Sequence, residues 1–239
     1  MAYFYGPISS RRLGWSLGVD LLPDKICSFQ CLYCQVGRTV KKTMRRFTYV
    51  DMKKFSKELN EILRSGCLID YITISGKGEP TLHKNLDIII KTIKKISNYN
   101  YPVCVITNSS LLYRKDVRRE LKDADLVIPS LDAPNEDIFK QIDSPHNFVS
   151  YAKLLEGLIA FRREFKGKIW LEIMLVKGIN DSEECAKDFK KIIKRLNPDK
   201  VQINLPVRTS PFTQKSLIPS IATIKRFCKI IGDNVEVVL

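Results

Sequence analysis

Three thiols fall within eight residues, in the order Cys27-Ser-Phe-Gln-Cys31-Leu-Tyr33-Cys34. Thiolates are soft ligands, and a short loop that gathers several of them is metal chemistry. A zinc ribbon or finger pairs one Cys-x-x-Cys with a second, similar pair farther along the chain. No such pair follows, because the other four of the seven cysteines, Cys67, Cys104, Cys185 and Cys228, are scattered. Three close thiols without a fourth suit an iron–sulfur cluster with one iron left open for a small-molecule ligand. The scattered four read as small apolar fillers in a reducing cytoplasm. The two histidines, His83 and His146, have no ligand spacing. Nor does the chain carry a Ser/His/Asp grouping, a P-loop or a dinucleotide-binding glycine motif.

The elements around this loop can be read from periodicity. Residues 6–14 combine turn chemistry with two adjacent cations, Arg11 and Arg12, and residues 15–22 form an apolar run that stops at Pro23. That run predicts a buried strand, which puts the cysteine loop at its C-terminal end, the functional face of a βα barrel. Further strands are expected over residues 70–75, 102–107, 125–131, 168–176 and 199–205. Helices are expected where Met52, Phe55, Leu59 and Ile62, then Leu86, Ile89, Ile90, Ile93 and Ile96, recur at three- and four-residue steps. Short helices follow near 113–121 and 135–142. Longer ones are marked by Leu154, Leu155, Leu158 and Ile159, by Cys185, Phe189, Ile192, Ile193 and Leu196, and by Ile221, Ile224, Cys228 and Ile231. Residues from Val235 read as a short strand or tail. Such βα alternation makes parallel sheets with right-handed crossovers. The expected fold is α/β, a partial (βα)6 TIM-like barrel open on one side.

With 239 residues, the chain is expected to form one domain. Residues 1–14 are an N-terminal extension, 15–205 the six-stranded core and 206–239 a C-terminal helix and tail. No apolar run is long enough to span a bilayer and no secretory signal opens the chain, so the expected location is cytoplasmic with no membrane partner. The net charge of +14 suits a polyanionic partner, and equally suits a solvated lysine-rich surface. Residues 38–57 are strongly basic, and the stretch from Lys41 to Arg46 reads as an exposed loop.

The expected strand ends carry further polar residues. One ends in Gly76-Lys77-Gly78-Glu79-Pro80, others in Thr107-Asn108-Ser109-Ser110 and Ser130-Leu-Asp132, and another runs through Met174-Leu-Val176. Taken alone, these are also what strand-to-helix turns, caps and a core strand look like. Gln202 and Asn204 interrupt an apolar strand and face either the barrel interior or its loops. Lys77, Lys177 and Arg208 sit near strand ends, where they can meet an anionic substrate.

The loop with its Cys-x-x-x-Cys-x-x-Cys spacing, and Tyr33 just before the last thiol, resembles the signature of the radical S-adenosylmethionine (SAM) superfamily. The resemblance implies a 4Fe–4S cluster on Cys27, Cys31 and Cys34, whose open iron chelates SAM. Reductive cleavage of SAM then yields a 5′-deoxyadenosyl radical that modifies a substrate, with an electron donor such as ferredoxin or flavodoxin. It also implies SAM contacts from Tyr33, Gly76, Gly78, Glu79, Asn108, Ser130, Asp132, Met174 and Val176. Gly76–Pro80 matches the family's GGEP motif except for the lysine between its glycines. Residues 6–39, with GKGEPTL and VQINLPVR farther on, resemble a compact group that begins GPVPSRRLG and is placed beside the wyosine-type tRNA synthases. Those synthases carry extra N-terminal cysteines for a second cluster, whereas no cysteine precedes Cys27 here. The substrate therefore stays open between tRNA or another polyanion and a peptide, protein or small metabolite, as in an activase. Outside enzymes, the alternative is a binding module with structural zinc or an electron-transfer cluster.

Overall fold

The computed structural model describes residues 2–212, 216–232 and 234–238. Its strands are β1 (Phe4–Ser10), β2 (Gly14–Asp20), β3 (Ile26–Cys27), β4 (Lys41–Lys42), β5 (Tyr71–Ser75), β6 (Val103–Thr107), β7 (Leu126–Pro129), β8 (Lys168–Met174), β9 (Lys200–Asn204) and β10 (Val235–Val238). Its helices are α1 (Met52–Arg64), α2 (Leu86–Ile96), α3 (Lys115–Glu120), α4 (Glu136–Asp143), α5 (Tyr151–Glu164), α6 (Glu183–Leu196) and α7 (Ile221–Ile231). The main sheet has eight strands in the order β1-β2-β5-β6-β7-β8-β9-β10 and curls into a half-barrel.

Six strands, β2 and β5 to β9, are the expected core, and all pair in parallel. Two more flank it. The opening residues, expected as an extension of turn chemistry, instead form β1, antiparallel to β2, with a register irregularity between Tyr5 and Ile8 at Pro7. An edge strand tolerates such a proline, because the missing N–H faces no partner. At the other edge β10 pairs in parallel with β9. The expected C-terminal helix and tail are α7 and β10; positions 213–215, 233 and 239 of that segment, and position 1, lie outside the described residues.

Strand alternation divides the sheet into two unlike faces. Leu17, Val19, Ile72, Ile74, Val105 and Ile173 point outward into one large core with Phe55, Ile89, Phe161 and Phe189 of the helices. The inner face carries Ser16, Thr73, Ser75, Ser130, Glu172 and Asn204, over an apolar floor of Leu13, Cys104, Leu126 and Ile128. Helix starts are capped by Asp51, Asn135, Ser150, Ser182 and Ser220, whose side chains accept backbone N–H groups of the first turn. Each such cap stabilises its helix by about 1 kcal/mol. Cys104 and Cys185 are buried, and Cys67 and Cys228 half-buried, all as free thiols. No helix of the described residues is long and apolar enough to cross a membrane.

One expected surface cation is not on the surface. Arg46 is only 7 % exposed. Its guanidinium donates to the carbonyls of Thr81 and His83, each at 2.7 Å, and to Asp116 and Glu120 on α3. It thus clamps the loop before α1 to the turn after β5. Arg45 beside it stays outside, with its guanidinium 5.5 Å from the centre of the Phe47 ring. Deleting a buried charge partner leaves the opposing groups unmatched and costs about 3–5 kcal/mol. Arg46→Ala should therefore lower unfolding stability by that amount in urea titration, with Arg45→Ala within about 1 kcal/mol of the parent. A loss below about 1 kcal/mol for Arg46→Ala would show that the clamp does not hold the loop.

Candidate active site

The cysteine loop leaves the C-terminal end of β2 and has almost no secondary structure of its own, so its backbone groups need outside partners. Three neighbours supply them. The last turn of α4 has carbonyls without intrahelical partners, and Leu32 N donates to Ile142 O at 2.7 Å and Gln30 N to Asp143 O at 2.9 Å. The pairing of β3 with β4 adds Thr43 N to Cys27 O at 3.0 Å. From the turn after β5, Glu79 N reaches Ile26 O at 3.0 Å. That approach explains Gly78, where a Cβ would collide with the Ile26 carbonyl. Gly76 is required for another reason, a φ of 112° that side chains rarely adopt.

All three thiols line one cavity of about 420 Å³ at the mouth of the half-barrel, together with Tyr33, Gly76, Gly78, Glu79, Asn108, Ser130 and Met174. Among the described residues no three Cys, His, Asp or Glu side chains converge as a single-metal-ion site. Three thiolates lining one cavity, with no histidine among them, are the soft donor set that iron–sulfur clusters take. Burial pushes the Cys27 thiol up to about 12 and the Cys31 thiol well above the ordinary range, the latter also through Asp143. Metal binding would release those protons.

Two expected contacts lie elsewhere. Val176 is buried away from the cavity, with its N–H donating to Asn180 Oδ1 at 2.7 Å and its carbonyl accepting from Ile179 and Asn180. Asp132 sits one layer back, accepting from Met174 N at 2.8 Å and from the Tyr33 hydroxyl. The Met174 N–H is thereby occupied. Glu79 reaches the cavity wall, but its carboxylate is held by Thr81 N at 3.0 Å, Thr107 Oγ1 at 2.6 Å and Asn108 N at 2.8 Å. Asn108 Nδ2 donates to Ser28 Oγ at 2.9 Å and lies 3.5 Å from Cys27 Sγ.

Other site residues were not singled out in the sequence. Asp143, at the end of α4, accepts from the Cys31 thiol at 3.2 Å. Asn180 is fully buried and holds the carbonyls of Asp132 and Met174 at 2.7 and 2.8 Å. Glu172 projects inward from β8 and takes Arg12, Asn204 Nδ2 at 3.2 Å and Ser130 Oγ at 3.3 Å. A charged residue inside an apolar strand was the available signal for Glu172. Asn204 faces the cavity, while Gln202 points inward but pairs with Glu236 at 3.0 Å.

Asp132 makes the site sensitive to pH. Burial pushes its carboxyl up from 3.8 to about 7, against the hydrogen bonds from Met174 and Tyr33. Between those values the folded state keeps a proton that the unfolded state has released, so stability falls as pH rises through the window. Metal-free parent protein should lose about 3 kcal/mol relative to Asp132→Asn between about pH 5 and about pH 8, roughly two pH units of the window. Urea midpoints of the two proteins that move in parallel across that range would remove this account.

The radical SAM superfamily profile matches residues 22–203. The chain is 48% identical over 214 residues to a GTPase Obg of Brachyspira hyodysenteriae, covering 89% of this chain but only 31% of that protein. With the UPF0026 protein MJ1312 of Methanocaldococcus jannaschii it shares 40% identity over 98% of this chain and 74% of that one. A dual-specificity RNA methyltransferase RlmN of Bdellovibrio bacteriovorus is 29% identical over 77% of this chain and 46% of that one. Among solved structures, a radical SAM methyltransferase from Sphaerobacter thermophilus superposes with a TM-score of 0.64 at 19% identity, covering 93% of this chain and 65% of that one. Streptococcus suis SuiB bound to its precursor peptide SuiA gives 0.67 at 14%, covering 92% and 48%. With its half-barrel, its three-thiol loop and these matches, the chain belongs to the radical SAM superfamily, and it is an enzyme of that superfamily.

Proposed function

We propose that this enzyme holds a 4Fe–4S cluster on Cys27, Cys31 and Cys34 and uses it to cleave SAM during the modification of an RNA substrate, tRNA in the first instance. The observation that carries the reading is the cavity at the strand ends that the three thiols share with Gly76, Gly78, Asn108 and Met174. Cys27, Cys31 and Cys34 would hold the cluster, which would supply the single electron for reductive cleavage of SAM and so the radical chemistry of the modification. The protein's part is to bind, orient and exclude water. The glycine turn would present backbone to the SAM amino acid, Ser130 and Met174 would face its nucleoside side, and Tyr33 is held by Asp132 at the cavity wall. A one-electron donor of the ferredoxin or flavodoxin class is required. The free thiols suit the reducing cytoplasm.

RNA is supported by charge and by one surface patch. Beside the cysteine loop, Lys41 Nζ and the Arg45 guanidinium each lie 5.5 Å from the centre of the exposed Phe47 ring. Cations around an exposed aromatic face suit a stacked base with its flanking phosphates.

Anaerobic reconstitution tests the whole reading. The parent should bind about four irons per chain and form 5′-deoxyadenosine under strong reductant, faster with bulk tRNA. Cys31→Ala should lose the cluster spectrum and reduce 5′-deoxyadenosine to the protein-free background. Zinc uptake without SAM cleavage would refute the enzyme assignment. Stimulation by a peptide or small metabolite and not by tRNA would transfer the enzyme to the activase-like alternative.

A further inference from the structure

The half-barrel is open between its edge strands, and the cavity extends into that opening. One wall is β1 with its turn, through Tyr5, Ile8, Ser10 and Arg11; the facing wall is the segment after β9, through Val207 and Arg208. Arg12, next to Arg11, is neutralised inside the barrel by Glu172. Arg11 and Arg208 are not neutralised: among the described residues neither has a carboxylate within ion-pair distance. Arg208 Nη1 donates to Gln35 Oε1 at 2.7 Å, which anchors it to the residue after Cys34. Arg11 belongs to the turn at the end of β2 remote from the cysteines. β1 is one edge of the sheet and β9 lies next to the other, so the two cations line the same cavity from opposite sides of the opening. They are near enough that Arg208 helps burial lower the proton affinity of Arg11. Two like charges converging on a cavity leave a local potential that an anion would relieve.

We infer that Arg11 and Arg208 together grip one phosphate group of the substrate across the open side of the barrel. A carboxylate offers two coplanar oxygens that one guanidinium fork satisfies. A phosphate has further oxygens out of that plane, so it can accept from a fork on each side. The grip would bridge β1 to the exit of β9 and set the depth at which the rest of the substrate enters toward the thiols. The inference rests on the RNA reading only for the source of the phosphate, which is a backbone phosphate if the substrate is RNA and a phosphorylated metabolite if it is not.

Two measurements on the reconstituted full chain separate these cases. In the first, arginines are modified with phenylglyoxal with and without inorganic phosphate, and the sites are mapped by mass spectrometry. Phosphate should protect Arg11 and Arg208 together; protection of neither, or of one alone, overturns the shared grip. In the second, bulk tRNA binding is followed by fluorescence anisotropy across a salt series for the parent, Arg11→Gln, Arg208→Gln and the double variant. Each single change should weaken binding about tenfold and make the log–log salt slope shallower by about 0.7–0.9, one phosphate contact. The double variant should lose no further slope, because both side chains serve the same phosphate. Two additive slope losses, or none, overturn the inference for RNA. If tRNA binds no parent protein while phosphate still protects both arginines, the grip stands, the RNA reading falls and the phosphate belongs to a small substrate. Equal thermal unfolding midpoints for all four proteins confirm that folding is not the cause.

Discussion

A carboxylate taken out of water must have its oxygens matched by donors, and Glu79 meets that demand with groups from different strand ends. The residue is 2 % exposed. Burial raises its proton affinity, and hydrogen bonds from Thr107, Thr81 and Asn108 oppose that rise. Those donors join the exit of β5 to the exit of β6, and the Glu79 N–H joins both to the cysteine loop through Ile26. The strand ends are thus not independent pegs around a ligand. They are one hydrogen-bonded unit in which Asn108 cannot shift without disturbing Glu79, nor Glu79 without disturbing the chain at Cys27. This also changes the part assigned to Glu79. In the sequence its charge looked available to a ligand; in the fold most of it is committed to protein donors, and the neighbouring glycines leave backbone for the ligand.

The rest of the cysteine loop depends on the same economy of backbone groups. A loop with no repeating pairing pattern has to borrow partners, and α4 offers them because its last carbonyls have none of their own. The interaction brings Asp143 to Cys31 at 3.2 Å. The acid therefore accompanies the support of the loop, which is why no local motif announces it.

What was legible follows from range. Helices declare themselves through spacing within a few residues, and α1, α2, α6 and α7 lie where their apolar periodicity placed them. The six core strands were equally clear, because each is a short apolar run beside turn residues. The thiol loop was legible since its three ligands are neighbours in sequence. Partnerships between distant residues were not: Arg12 with Glu172, separated by 160 positions, or Cys31 with Asp143, separated by 112. The first strand was hidden for a different reason. Gly6, Pro7 and paired serines read locally as a turn, and only an edge position with an irregular register makes a strand of them. Arg46 was misread because a cation in a non-periodic basic stretch has no local mark of burial.

The inner face shows why a polar lining is compatible with a stable barrel. Ser16 and Thr73 share a hydrogen bond of 2.7 Å, as do Tyr5 and Ser75, and Glu172 gathers Arg12, Asn204 and Ser130. A buried ion pair such as Arg12–Glu172 adds little stability over apolar residues of the same size, because desolvation offsets the attraction. The stabilising burial is on the other side of the sheet, where the apolar faces of the strands meet the helices. The lining is thereby relieved of holding the fold and can be chosen for what it presents to the cavity. Neutralising Arg12 from within the barrel is one such choice. It ties the β1–β2 turn to β8, and among the described residues it leaves Arg11, one residue earlier, lining the opening without an ion-pair partner.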